Sequence, residues 1–115
     1  MKPAVIYRIA DLPDWLNALA TGVFASQDLE REGFVHFSER PQVQGVFNRY
    51  YSDKRELVLL AVDENLLPVP VKRENTSGGT ELFPHVYGPV PIAAVLGHAL
   101  LQTDADGRIL WPDGW

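Results

Sequence analysis

The segment ELVLLAVD, residues 56 to 63, sets an unbroken apolar run between charged ends. It is short and rich in branched side chains, so it reads as a β-strand buried on both faces rather than as a helix. Such a strand cannot lie at an edge. It has to be central, with strands beside it and apolar layers on either side.

The flanking sequence supplies those neighbours. PAVIYRIA reads as a first strand over about residues 4 to 9, with Arg8 near its end. DLPDWLNALATG follows as a helix of about eight residues. Asp11 or Asp14 is its N-cap, Pro13 lies in the first turn, Gly22 is the stop, and Leu12, Trp15, Leu16 and Leu19 form the apolar stripe, with Trp15 packing on the sheet. Asp28 to Glu32 reads as an acidic loop. Gly33 then leads into a short strand, FVHFS, whose alternation puts Phe34 and His36 on one face and Val35 and Phe37 on the other. A second helix is expected over about residues 41 to 51, capped by Ser38 or Arg40, with Val43, Val46, Phe47 and Tyr50 inward.

The proline-rich segments LLPVPVKREN and ELFPHVYGPVP predict extended chain outside the interior of a central strand, since proline has no backbone donor. NTSGGT between them reads as a mobile loop. IAAVLGHALLQTD predicts a helical turn passing into a strand that hairpins through Asp106 and Gly107 to RILW, followed by a tail anchored by Trp111. Strands and helices first alternate and then give way to strands. This is α+β, one domain over residues 1 to 115, with a split, antiparallel-rich sheet and two short helices.

Composition narrows the function classes. With 115 residues, 46% of them hydrophobic and 22% charged, the chain suffices for one core. No apolar run approaches the roughly 20 residues of a membrane span. MKPAVIYRIADLP lacks the features of a secretory signal, so a cytoplasmic location is expected. The absence of cysteine excludes disulfides, thiolate zinc sites and thiol nucleophiles. A net charge of -5 argues against a general nucleic-acid grip, although Lys72 and Arg73 form a local basic pair. The three histidines show no metal-ligand spacing, and no metal is expected.

Three polar residues stand where packing alone prefers apolar ones: Arg8, His36 within FVHFS and His85 within FPHVYG. A strand histidine is ordinarily structural. Two of them flanked by aromatic rings suit a site for a flat heterocycle. Arg73 and Glu74 follow a proline-stiffened stretch and read either as solvated charges or as a positioning pair. Neither a phosphate-binding glycine loop nor a serine elbow is present, and a hydroxyl nucleophile would have to be Ser26, Ser38, Ser52 or Ser77. Ser38 shares the strand face of His36 if the strand runs that far.

The series IYRI, GFVHFSE, ELVLLAVD, RE and FPHVYGPVP resembles the bacterial family known as domain of unknown function 952, over about residues 5 to 97, leaving residues 98 to 115 as a C-terminal hairpin and tail. That family is in turn similar to compact members of the ADP-ribosyltransferase fold, the RNA 2'-phosphotransferases among them. The resemblance implies NAD as cofactor, held by Arg8, His36, Ser38, Gln42, Arg73 and Tyr87, with His36, Glu74 and His85 as catalytic groups. Arg8 stands where related sequences usually carry histidine.

Three functions follow as expectations. The first is NAD-linked transfer of ADP-ribose or phosphate, in which a carboxylate stabilises a cationic ribosyl centre. The second is a nucleotide-binding module without catalysis. The third is a partner-binding domain contacting others through Tyr50, Tyr51 and Trp115. The first two require Arg8, His36 and His85 to converge on one concavity.

Overall fold

In the computed structural model, which describes residues 4 to 115, β1 (Val5–Asp11) turns directly into α1 (Leu12–Thr21). Asp11 is extended at the N-cap, Pro13 occupies the first turn, and Gly22 ends the helix at φ 88°. Trp15 and Ala18 form the buried face of α1. Leu16 and Leu19 do not join them, being 54% and 51% exposed. Each sits one residue, about 100°, further round the helix than Trp15 or Ala18, and a helix lying on a sheet buries only one narrow line.

After β2 (Val23–Phe24) comes α2 (Gln27–Glu32), where the sequence suggested an acidic loop. Asp28 and Glu30 fall in the first turn, where the helix dipole favours negative charge, and Gly33 closes the helix at φ 85° by donating its N–H to the Leu29 carbonyl. Next is β3 (Val35–His36). Helical chain then runs over residues 40 to 51 as a tight turn (Arg40–Gln42), α3 (Val43–Val46) and a wider π turn (Phe47–Tyr51). Neither Ser38 nor Arg40 caps it. Glu39 is the N-cap, with its N–H donating to Gln42 Oε1 at 2.9 Å. The π turn brings Tyr51, rather than the expected Tyr50, into line with buried Phe47, because its longer repeat shifts the inward position by one residue.

The remaining elements are β4 (Leu57–Asp63), a turn (Glu64–Leu66), β5 (Val71–Glu74), β6 (Phe83–Val86), β7 (Val90–Pro91), a turn (Ile92–Ala94), β8 (Val95–Leu100), β9 (Gln102–Thr103) and β10 (Ile109–Leu110). The architecture is α+β with antiparallel pairing throughout. No helix among the described residues is long and apolar enough to cross a membrane.

β4 lies between β1 and β8 with every residue buried. Its alternate side chains separate two cores. Val58, Leu60 and Val62 join Ile6, Trp15 and Phe24, while Leu57, Leu59 and Ala61 join Tyr7, Val43 and Phe47. The C-terminal tail seals the second core. Trp111 packs edge-on against Tyr7 with ring centroids 5.1 Å apart, and Arg40 lies 4.1 Å above the Trp111 ring. Trp115, expected as an exposed contact, instead lies over Gly97, where a Cβ would come within 3.0 Å of its ring.

The second sheet has the order β3-β6-β5, so β6 is central despite containing Pro84. The Phe37 N–H donates to the Pro84 carbonyl at 2.9 Å. The return bond is the one proline cannot make. Pairing between β3 and β6 ends at His36 and His85, so the missing donor falls just beyond the ladder.

Candidate functional site

The two sheets meet at one point, where Tyr7 and Ser38 exchange backbone hydrogen bonds of 2.9 and 2.7 Å. In antiparallel register the next hydrogen-bonded pair would be Ile9 with His36, but the strands part there. A groove of about 680 Å3 opens along the split, within the range of small-molecule sites. Arg8, His36, Ser38 and His85 all line it.

The backbone of His36 loses a strand partner at the split, and side chains replace it. Its N–H donates to Asp28 Oδ2 at 2.8 Å, and its carbonyl accepts from Arg8 Nη1 at 3.0 Å. Arg8 and Asp28 close the loop with an ion pair of 2.9 Å. Burial pushes the Asp28 carboxyl upward, but the Arg8 guanidinium, the His36 N–H and the Ser26 hydroxyl outweigh it and hold the carboxyl below the usual aspartate range. The expected ligand contact Arg8 is therefore engaged within the protein.

His36 and His85 face each other directly across β3 and β6, with ring centroids 5.0 Å apart. The face shared by Phe34 and His36, read from alternation, is the one on which Phe34 stacks against His85 at 4.1 Å. Each imidazole has its own carboxylate. His36 Nε2 lies 2.6 Å from Glu32 Oε2, one turn back along the chain from α2, and both side chains are partly open to solvent. His85 is 2% exposed, and its Nδ1 lies 3.0 Å from Glu74 Oε1.

The same Glu74 oxygen accepts from the Tyr87 hydroxyl. Tyr87 first, and His85 next, hold the Glu74 carboxyl below its usual value, while Glu74 raises the Tyr87 phenol. A carboxylate against Nδ1 favours the proton on that nitrogen, which leaves Nε2 as the acceptor nitrogen of His85, a residue that lines the groove. This is the arrangement of an oriented general base.

Other residues expected at the site stand apart from the groove. Glu74 bonds His85 and Tyr87 bonds Glu74, and neither lines the groove. Gln42 donates to Glu81 and to the Leu82 carbonyl, tying the helical segment to the β5–β6 connection. Arg73 pairs with both oxygens of Glu64 at 2.6 Å and with Glu39 at 3.2 Å, which raises its guanidinium further above its usual value. The NTSGGT loop is held from within by Asn75, whose Oδ1 accepts from the N–H groups of Ser77 and Gly79.

In the sequence Asp28 and Glu32 read only as the ends of an acidic loop, and the groove-lining Asp11, Asp14, Arg49 and Lys54 are given no part in the site. The signal for Asp28 and Glu32 was the helix between Ser26 and Gly33, which sets Glu32 four residues before His36.

Fold and site together define a small α+β protein with a split antiparallel sheet around a two-histidine groove. The chain belongs to the family described as Protein of unknown function (DUF952), whose model matches residues 9–98. It is similar to protein CC0527 from Caulobacter crescentus. The crystal structure of that protein is 36% identical, with a TM-score of 0.79, covering 93% of this chain and 94% of that one. Its solution NMR structure gives 36% identity and a TM-score of 0.76, over 91% and 90% of the two chains. No curated protein matches. The expected likeness to the ADP-ribosyltransferase fold finds no support in these matches.

Proposed function

We propose that the groove is a catalytic site for a nucleotide-sized ligand, with His85 Nε2 as the group that moves a proton. The observation that carries this reading is the Glu74–His85 pair, 3.0 Å apart, whose imidazole faces His36 across the β3–β6 strand pair at the groove. A buried imidazole held at one nitrogen by a carboxylate in the wall of an open groove is costly to build for packing alone. NAD is the ligand to try first, with ADP-ribose or phosphate as the transferred group, in keeping with the family resemblance of the motifs. Glu74 serves as a positioning residue for His85, and Glu32, on the groove wall, is the carboxylate placed to face a developing cationic centre.

A non-catalytic nucleotide-binding module is the second reading. It is favoured by Arg8, whose Nη1 is taken up by Asp28 and the His36 carbonyl.

The test is nicotinamide release from NAD by the purified protein, run beside an NMR titration of the histidine rings with NAD and ADP-ribose. Catalysis predicts turnover that His85→Gln abolishes while ligand binding persists. Binding without turnover selects the module, and resonances that stay fixed up to millimolar ligand, a free energy of only about -4 kcal/mol, refute both.

A further inference from the structure

The groove wall opposite the sheets is built from the helical segment and its exit, and its charge runs against that of the chain. In a protein of net charge -5, residues 40 to 55 carry Arg40, Arg49, Lys54 and Arg55 against Asp53 alone. Arg40 is spent on Trp111. Arg49 and Lys54 line the groove, and neither makes an ion pair with any described residue. Between them stands Tyr50, which also lines the groove and is 57% exposed.

Tyr50 is there because the segment Phe47–Tyr51 winds as a π turn. That winding sends Tyr51 toward the core and leaves Tyr50 outside it. π turns are rare and recur at functional sites, where they turn a side chain toward a ligand at some cost in helix stability. Here the result is a phenol ring at a groove, with the Arg49 guanidinium 5.8 Å from its centre and the Lys54 ammonium 5.4 Å from the neighbouring Tyr51 ring. Exposed cations without acidic partners suit a phosphate ester, and an exposed ring suits the stacking of a planar heterocycle. Asp11 and Asp14 line the groove as well. Carboxylates accept from sugar hydroxyls, which suits the ribose part of such a ligand.

We infer that Arg49, Tyr50 and Lys54 form the phosphate and ring subsite of the groove, and that its ligand is a nucleoside monophosphate or a larger molecule containing one. The inference rests on the reading of the groove as a nucleotide site and adds which wall holds which part of the ligand.

Calorimetry and NMR with AMP, adenosine, ribose phosphate and inorganic phosphate test it. AMP is expected to bind at least tenfold more tightly than adenosine, with a preference that shrinks as salt rises. Arg49→Gln with Lys54→Gln removes that preference and leaves adenosine unaffected, while Arg108→Gln, on the β9–β10 hairpin outside the groove lining, changes nothing. Ribose phosphate and inorganic phosphate shift the Tyr50 and Tyr51 resonances. Circular dichroism of the double variant checks folding, and both substituted side chains are exposed.

Equal affinity for AMP and adenosine, or a preference that survives the double substitution, overturns the subsite. If adenosine nonetheless shifts the His85 ring, the reading of the groove stands without the subsite. If the phosphate compounds shift Tyr50 while no nucleoside reaches His85, the subsite stands and the reading of the groove falls. If none of the four compounds binds, both fall.

Discussion

Arg8 Nη1 donates to the carbonyl oxygen of His36 at 3.0 Å, in the gap where β1 and β3 part after the Tyr7–Ser38 bridge. Together with the Asp28 carboxylate on the His36 N–H, it satisfies the backbone groups that a strand partner would have paired. The split that opens the groove thus leaves His36 anchored at its rim.

That anchor is charged, and acid should release it. The Asp28 carboxyl is held below its ordinary value when folded, so the unfolded chain takes up its proton first. The stability it contributes is complete above about pH 4 and is lost as pH falls further, through the folded value. Asp28→Asn leaves the largely buried Arg8 without a counter-charge and should cost on the order of 3 kcal/mol at neutral pH. Urea unfolding of both proteins from neutral to acid pH should show the gap between them closing below about pH 4. A gap that stays constant with pH would show that Asp28 contributes no charge-dependent stability.

Glu74 owes its low value first to the Tyr87 hydroxyl. Tyr87→Phe removes that donor, so the Glu74 carboxyl should titrate at higher pH, and any activity depending on its charge should lose its acid limb earlier. Carbon-detected NMR of the carboxyl group reads the shift directly. An unchanged Glu74 titration in Tyr87→Phe would place its stabilisation in His85 and Lys72 instead.

If the protein turns over a nucleotide, His85→Ala should lower the rate by roughly 100-fold or more, the scale of a lost general base. Glu74→Gln should lower the rate too, while leaving ligand affinity within a few-fold, because Glu74 acts through His85 rather than on the ligand. A Glu74→Gln variant with unaltered rate would remove Glu74 from the mechanism.

The FPHVYG segment ends at a close contact. A Cβ on Gly88 would lie 2.6 Å from Val69 Cγ1, so Gly88→Ala should destabilise the fold by about 1–3 kcal/mol, the range for overpacking. Val69→Ala in the same chain should recover part of that loss. Denaturation of the two single variants and the double variant measures the coupling, and strictly additive losses would show that the clash is relieved elsewhere.

Gly97 in β8 offers a parallel test. Gly97→Ala would bring a methyl group to 3.0 Å from the Trp115 ring, so the ring must shift by a few tenths of an ångström in its seat beside Tyr7. Tryptophan fluorescence should report a more exposed indole, with β4 and its two cores retained. An unshifted emission maximum would mean that the tail accommodates the methyl group.

What the sequence determined by itself lay in local patterning. The apolar run of β4 could be buried only from both sides, and it separates two cores. The alternation in FVHF set Phe34 and His36 against Val35 and Phe37, and Gly22 marked the end of α1. Each depends on neighbours along the chain, where periodicity and backbone sterics act. Tertiary structure decided the rest. Whether Pro84 could sit in a central strand depended on where β3 stops, and whether Trp115 was exposed depended on a glycine eighteen positions earlier in the chain. Arg8, Asp28 and His36 converge only because the sheets split beyond Ser38, and Glu74 reaches His85 only across the β5–β6 pair. Such partnerships are fixed by strand register between distant segments, and no spacing within the sequence encodes them.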